Sequence, residues 1–179
     1  MITLILGGAR SGKSRYAEQL AQATQQPVLY VATATAFDDE MRARIAHHQQ
    51  QRPTDWQLLE CPLDLAAALS QKSKKNQTIL VDCLTLWLNN QLFHSPQQNF
   101  EALFNELIQS AADAKGDIIF VANEVGLGII PLGEVSRKFV DEAGRLNQQI
   151  AQIADKVFFI AAGLPLQLKA LQLKGGDNG

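Results

Sequence analysis

Residues Gly7-Gly8-Ala9-Arg10-Ser11-Gly12-Lys13-Ser14 fit the pattern G-x-x-x-x-G-K-[ST] in full. Each residue type has a chemical task there. The glycines let the backbone curl until its N–H groups point inward at anionic oxygens. A helix that follows would add the positive end of its dipole. Lys13 would reach the β- and γ-phosphates of a nucleoside triphosphate, and the Ser14 hydroxyl would ligate Mg²⁺. Arg10 and Ser11 lie inside the loop and would add contacts.

A metal bound at such a loop needs a second oxygen ligand. Asp82 follows the aliphatic run Ile79-Leu80-Val81, and a carboxylate at the end of a buried strand suits that role. The same aspartate could also cap a helix starting near Leu84, a role compatible with the first. Glu124 ends another aliphatic run and competes as metal ligand or base. The pair His47-His48 is the other unusual feature. On a helix, Met41, Ile45 and His48 share one face and His47 turns about 100° away. Adjacent helical residues do not converge on one metal ion. Two readings remain. Either His48 packs while His47 is solvated, or His47 attacks an α-phosphate, forming a phosphoramidate and releasing pyrophosphate. His94 stands alone near a loop and reads as surface.

These groups need elements to carry them. Ile2–Leu6, Val28–Thr33, Ile79–Asp82, Asp117–Ala122 and Val157–Ala161 read as short, buried, aliphatic strands. Trp56–Glu60 and Leu166–Leu168 read as shorter ones. Helical spacing marks Ser14–Ala23, Leu63–Leu69, Leu84–Leu92, Phe100–Ala114 and Gly133–Asp155. Asp38-Asp39-Glu40 would open a further helix running to about Gln50, with its acidic residues at the favourable end of the dipole. Lys72–Asn76 and the glycine-containing stretch Asn123–Pro131 read as loops. The latter could shape a substrate site, or its apolar residues Val125, Leu127, Ile129 and Ile130 could serve a subunit interface. Strands alternating with helices predict an α/β fold of three layers around a mainly parallel sheet. The chain reads as one catalytic domain over residues 1–174 with a frayed tail, 175–179.

The 179 residues are 46% hydrophobic and 19% charged, an ordinary globular composition. A formal net charge of −2 lacks the basic excess of a nucleic-acid binder, so no nucleic-acid partner is expected. Cys61 and Cys83 form no CxxC pair, which speaks against zinc and for reduced, buried thiols. No apolar run approaches the roughly 20 residues of a membrane span, and the expected location is the cytoplasm.

Together these motifs resemble those of the bifunctional adenosylcobinamide kinase / adenosylcobinamide-phosphate guanylyltransferase family of cobalamin biosynthesis. The matching stretches are Gly7–Arg15, Tyr30–Thr33, Asp38–Met41 with Arg44-Ile45 and His47-His48, and Arg52-Pro53 with Trp56 and Glu60-Cys61. Further along come Val81–Thr85, Asn123–Pro131 and Ala143–Gln148. The resemblance implies a recombinase-like P-loop NTPase fold, a homotrimer, and two reactions. ATP or GTP phosphorylates adenosylcobinamide, and GTP then donates GMP to that phosphate through a GMP–His47 intermediate. It also implies nucleotide contacts at the phosphate loop, Thr33, Ala34, Thr35, Gln50, Gln51, Arg52, Pro53, Glu60 and Asp82. Two departures stand out: Gln49-Gln50-Gln51 follows the histidines, and Asp82 stands where relatives can carry Glu. The rivals are a P-loop small-metabolite kinase without a covalent intermediate and a nucleotide switch acting on nucleic acid, which the charge disfavours.

Overall fold

A computed structural model describes residues 1–35, 39 and 53–170. The helix expected over Asp38–Gln50 lies outside the described residues apart from Asp39, which is helical. His47, His48, Gln50, Gln51 and Arg52 lie outside them too, as does the expected tail.

The elements follow in the order β1 (Ile2–Gly7), α1 (Lys13–Ala23), β2 (Val28–Ala32), β3 (Gln57–Glu60), α2 (Leu65–Lys72), β4 (Thr78–Asp82) and α3 (Leu84–His94). Then come α4 (Phe100–Ala112), β5 (Asp117–Asn123), α5 (Glu134–Ile153), β6 (Lys156–Ala161) and β7 (Leu164–Lys169). The strands form one sheet in the order β3-β2-β4-β5-β1-β6-β7. All neighbours are parallel except β6 and β7.

The aliphatic strands are buried because helices cover both faces. On one face α1 packs Ala17 and Ala21 against Ile5, Tyr30, Leu80, Val121 and Ile160. On the other, α2 to α5 bury Leu69, Trp87, Leu88, Phe104, Leu107 and Leu146 against Leu4, Val31, Val81 and Phe120. Burying each such aliphatic or aromatic side chain contributes about 1.5–3 kcal/mol. This is the expected three-layer arrangement. No helix among the described residues is long and apolar enough to cross a membrane.

The ends of several elements differ from the reading of the sequence. β2 stops at Ala32, because Thr33 turns its N–H to the Asp82 carbonyl at 3.2 Å. α2 starts two residues late, at Leu65, and runs on through Lys72, taking that lysine out of the expected loop. Gly133 is the N-cap of α5 rather than its first residue. The expected strand Leu166–Leu168 is the centre of a longer edge strand, β7, exposed throughout.

Since β1 to β6 run parallel, their carboxyl ends share one edge of the sheet. Gly7, Ala32, Glu60, Asp82, Asn123 and Ala161 end their strands there. Ligands of open α/β sheets bind at that edge.

Candidate active site

The phosphate loop leaves β1 at Gly7 and enters α1 at Lys13. A hydrogen bond from the Ser11 N–H to the Gly8 carbonyl, 3.3 Å, closes its first turn. Arg10 (φ 56°) and Gly12 (φ 95°) adopt left-handed backbone conformations. Gly12 caps α1 without a side-chain hydrogen bond, and no acidic residue stands in the first turn. The leading N–H groups of α1 and the positive end of its dipole are therefore not neutralised by a carboxylate of its own first turn. Lys13 Nζ donates to the Gly8 carbonyl at 3.3 Å, so the ammonium lies across the loop. The Ser11 hydroxyl is buried with no partner.

Two glycines are required by their surroundings. A Cβ on Gly7 would lie 2.6 Å from Ser11 Oγ and 2.7 Å from the Ile160 carbonyl. A Cβ on Gly12 would lie 3.2 Å from Gly163 Cα. Gly163 belongs to the two-residue turn between β6 and β7, where it and Ala162 both have positive φ (78° and 51°). Its N–H donates to the Ser11 carbonyl at 2.8 Å, so this distant hairpin braces the loop. Sequence reasoning missed the brace. Its only signal was an Ala-Gly pair between two apolar runs, which marks a tight hairpin and not what the hairpin touches.

Asp82 ends β4, two strands from β1. Its carboxylate does not cap α3, whose N-cap is Cys83. Instead Oδ2 accepts a 2.7 Å hydrogen bond from the Tyr30 hydroxyl, and Trp56 lies tilted against the Tyr30 ring. Side chains two apart along a strand share a face. Leu80 packs toward α1, so Asp82 does as well, on the same side as the phosphate loop. Burial, and then the neighbouring Asp82 carboxylate, push the Cys83 thiol up to about 11.

Thr33 is fully buried and serves the backbone. Its hydroxyl donates to the Cys83 carbonyl and accepts from the Cys83 N–H, both at 2.8 Å. It thereby straps Asp82–Cys83 to the end of β2, and its one hydroxyl proton is committed to that strap. Ala34 and Thr35 follow it, half-buried. Glu60 is exposed at the same sheet edge, next to Ala32 in register. Pro53 is not brought there. It lines a cleft of about 560 Å³ with Gln22, Gln26 and Val28 at the opposite edge, because it precedes β3. A four-residue strand, roughly 13 Å, separates the two ends. Glu124 donates its N–H to the Gly7 carbonyl at 3.1 Å, but its carboxylate accepts from the Gly126 N–H at 2.6 Å and so closes on its own loop. His94 is exposed, as expected.

Mg²⁺ at a nucleotide takes one or two protein oxygens and keeps waters and phosphates for the rest. Ser14 and Asp82 are hard oxygen donors of that kind. No group of three or more His, Cys, Asp or Glu side chains gathers among the described residues, and such a site needs none. The donor set fits the ion.

A loop of this shape serves many nucleotide enzymes, so the whole chain must decide among them. Residues 3–168 match the family model described as cobinamide kinase / cobinamide phosphate guanyltransferase. The chain belongs to this family. Among its relatives is the bifunctional adenosylcobalamin biosynthesis protein CobP of Pseudomonas aeruginosa, 51% identical over 169 residues, covering 94% of this chain and 98% of that one. The bifunctional adenosylcobalamin biosynthesis protein CobU of Escherichia coli is 37% identical over 182 residues, covering 94% and 100%.

Solved structures carry the same fold at low identity. The RadB recombinase superposes with a TM-score of 0.51 at 15% identity, covering 88% of this chain and 73% of that one. An ATPase of the type III secretion system gives 0.52 at 10% identity, covering 93% and 57%. The cobinamide kinase / guanyltransferase family member described here is thus built on the P-loop NTPase fold.

Proposed function

We propose that this chain carries out both reactions of its family on a corrinoid. In the first, the aminopropanol hydroxyl of adenosylcobinamide attacks the γ-phosphorus of ATP or GTP. The new O–P bond replaces the β–γ bridge, the nucleoside diphosphate leaves, and the hydroxyl proton passes to solvent. In the second, a neutral His47 ring nitrogen attacks the α-phosphorus of GTP. The N–P bond forms, the α–β bridge breaks, and pyrophosphate leaves. A phosphate oxygen of adenosylcobinamide phosphate then attacks the same phosphorus. The N–P bond breaks, and adenosylcobinamide-GDP departs with the imidazole restored.

The observation that carries this reading is the phosphate loop itself: un-neutralised helix N–H groups, a lysine across its mouth, and Asp82 on the same face. Both steps displace phosphorus centres, so positioning and charge stabilisation supply most of the catalysis. The loop amides and Lys13 hold and neutralise the phosphates. Ser14 and Asp82 would hold Mg²⁺, which supplies further neutralisation of phosphate charge. Protonation of His47 removes its lone pair, so guanylyl transfer falls on acidification.

Mixing the protein with Mg²⁺ and α-labelled GTP tests the covalent step. Label should stay with the denatured protein, be lost in acid, and be absent from a folded His47→Ala variant. Retention by that variant would sink the His47 assignment. No retained label with intact γ-phosphoryl transfer would point to a plain P-loop kinase. A homotrimer in the cytoplasm belongs to the same proposal. The exposed apolar run Leu127, Ile129, Ile130 and Leu132 supports assembly, and a single-chain mass in sedimentation equilibrium would refute it.

A further inference from the structure

Two cations, Lys13 and Arg15, stand in the first turn of α1, and no carboxylate stands there with them. A positive charge at a helix N-terminus opposes the dipole, which favours anions at that end. Lys13 lies across the loop on the Gly8 carbonyl, where it would meet a triphosphate. Arg15 has no such task. It is exposed, and it makes no hydrogen bond or ion pair among the described residues. Ala17, two residues on, is fully buried against the sheet. Two residues turn about 200° around a helix, so Arg15 leaves α1 on its solvent side. Helical side chains lean toward the N-terminus, which carries the guanidinium back toward the mouth of the loop from outside.

The two proposed reactions differ in what must come through that entrance. In the first, the acceptor is a hydroxyl and brings no charge at its reacting end. In the second, the acceptor is a phosphate monoester, carrying about −1.5 to −2 at neutral pH. It must approach a phosphorus that already bears anionic oxygens. The loop amides, Lys13 and Mg²⁺ are engaged with the phosphates of the nucleotide. The incoming dianion therefore needs a cation of its own on the solvent side. A guanidinium suits it, because its fork of N–H donors takes two phosphate oxygens at once.

We infer that Arg15 binds the phosphate of the acceptor, adenosylcobinamide phosphate, and holds it for attack on the GMP phosphorus. The inference rests on the proposed guanylyl transfer at this loop. Arg15 serves the second reaction and not the first.

The test uses the full chain with Mg²⁺. Guanylyl transfer is followed with α-labelled GTP and adenosylcobinamide phosphate, and the kinase step with γ-labelled ATP and adenosylcobinamide. Arg15→Gln should raise KM for adenosylcobinamide phosphate about tenfold or more, the effect of losing hydrogen bonds to a charged group. KM for adenosylcobinamide, and the GTP concentration that half-labels the protein with GMP, should stay within about twofold of wild type. Arg15→Lys keeps the charge and loses the fork, so it should fall between the two. An unchanged KM for adenosylcobinamide phosphate refutes the contact. Equal rises for both corrinoids, or a matching rise in the GTP requirement, would assign Arg15 to the corrin or the nucleotide and overturn the inference as well. Arg15→Gln removes a cation from the positive end of a helix, so it should melt no lower than wild type. A clearly lower melt would mark Arg15 as a structural residue and overturn the inference too. Wild-type protein that phosphorylates adenosylcobinamide but transfers no GMP would instead overturn the reading on which the inference rests.

Discussion

At the scale of single residues, the site depends on how side chains from different strands constrain one another. The Tyr30 hydroxyl donates to one oxygen of Asp82, on the face of the sheet that α1 covers. Tyr30 is buried and its ring packs with Trp56, so Tyr30→Phe keeps the packing and deletes one donor. The Mg²⁺ concentration giving half-maximal activity should rise several-fold, with KM for the corrinoid unchanged and stability lowered by about 1 kcal/mol. An unchanged Mg²⁺ requirement would show that Asp82 needs no such restraint. The Tyr-Val-Ala-Thr stretch was visible in the sequence as a strand, but Tyr30 had no assigned work and Thr33 only the nucleotide contact that the resemblance implies. Tyr30 steadies Asp82, and Thr33 fastens Cys83. Neither bond follows from spacing, because each joins residues about fifty positions apart.

At the scale of elements, the loop is a strand-to-helix turn braced by the β6–β7 hairpin. Gly12 meets two demands at once, a left-handed φ and close approach to Gly163. Gly12→Ala should therefore cost about 1–2 kcal/mol in backbone strain. It should also push the hairpin off the Ser11 carbonyl. Gly8 is the control, since a Cβ there meets nothing within 4 Å. Thermal melts of the two nucleotide-free variants decide the point. Gly12→Ala should melt several degrees below wild type and Gly8→Ala close to it, and equal losses would discard the brace. Element types were legible because the aliphatic runs and helical spacings are strong signals. Their ends were less so. Thr33 leaves β2 for a tertiary hydrogen bond, and Lys72 stays helical although its neighbours are loop-like.

At the scale of the whole molecule, folding closes Asp82 and Cys83 into the layer between the sheet and α1. Cys83 is buried and its thiol is pushed from an ordinary 9.0 to about 11. The unfolded chain then releases this proton before the folded one does. The associated stability is complete below about pH 9 and is lost as pH rises to about 11, by up to about 3 kcal/mol. Burial raises the Cys61 and Tyr16 pKa values too, which adds losses of the same sign. Denaturant melts across pH 8–11 should show the decline, and Cys83→Ala should flatten it. An equally steep decline in that variant would assign it to other groups.

The linear sequence by itself determined that a triphosphate-binding loop follows the first strand, that strands and helices alternate, and that the chain resembles one corrinoid-processing family. Those features are local or periodic, and backbone sterics and hydrophobic spacing write them directly into residue order. Tertiary structure alone decided which strand ends meet. It seated Asn123 between the phosphate loop and Asp82, braced Ser11 from Gly163, moved Pro53 to the far edge, and turned the Glu124 carboxylate back on Gly126. Strand order has no local signature. It emerges only when distant aliphatic runs bury one another, and the polar residues at their ends are carried along.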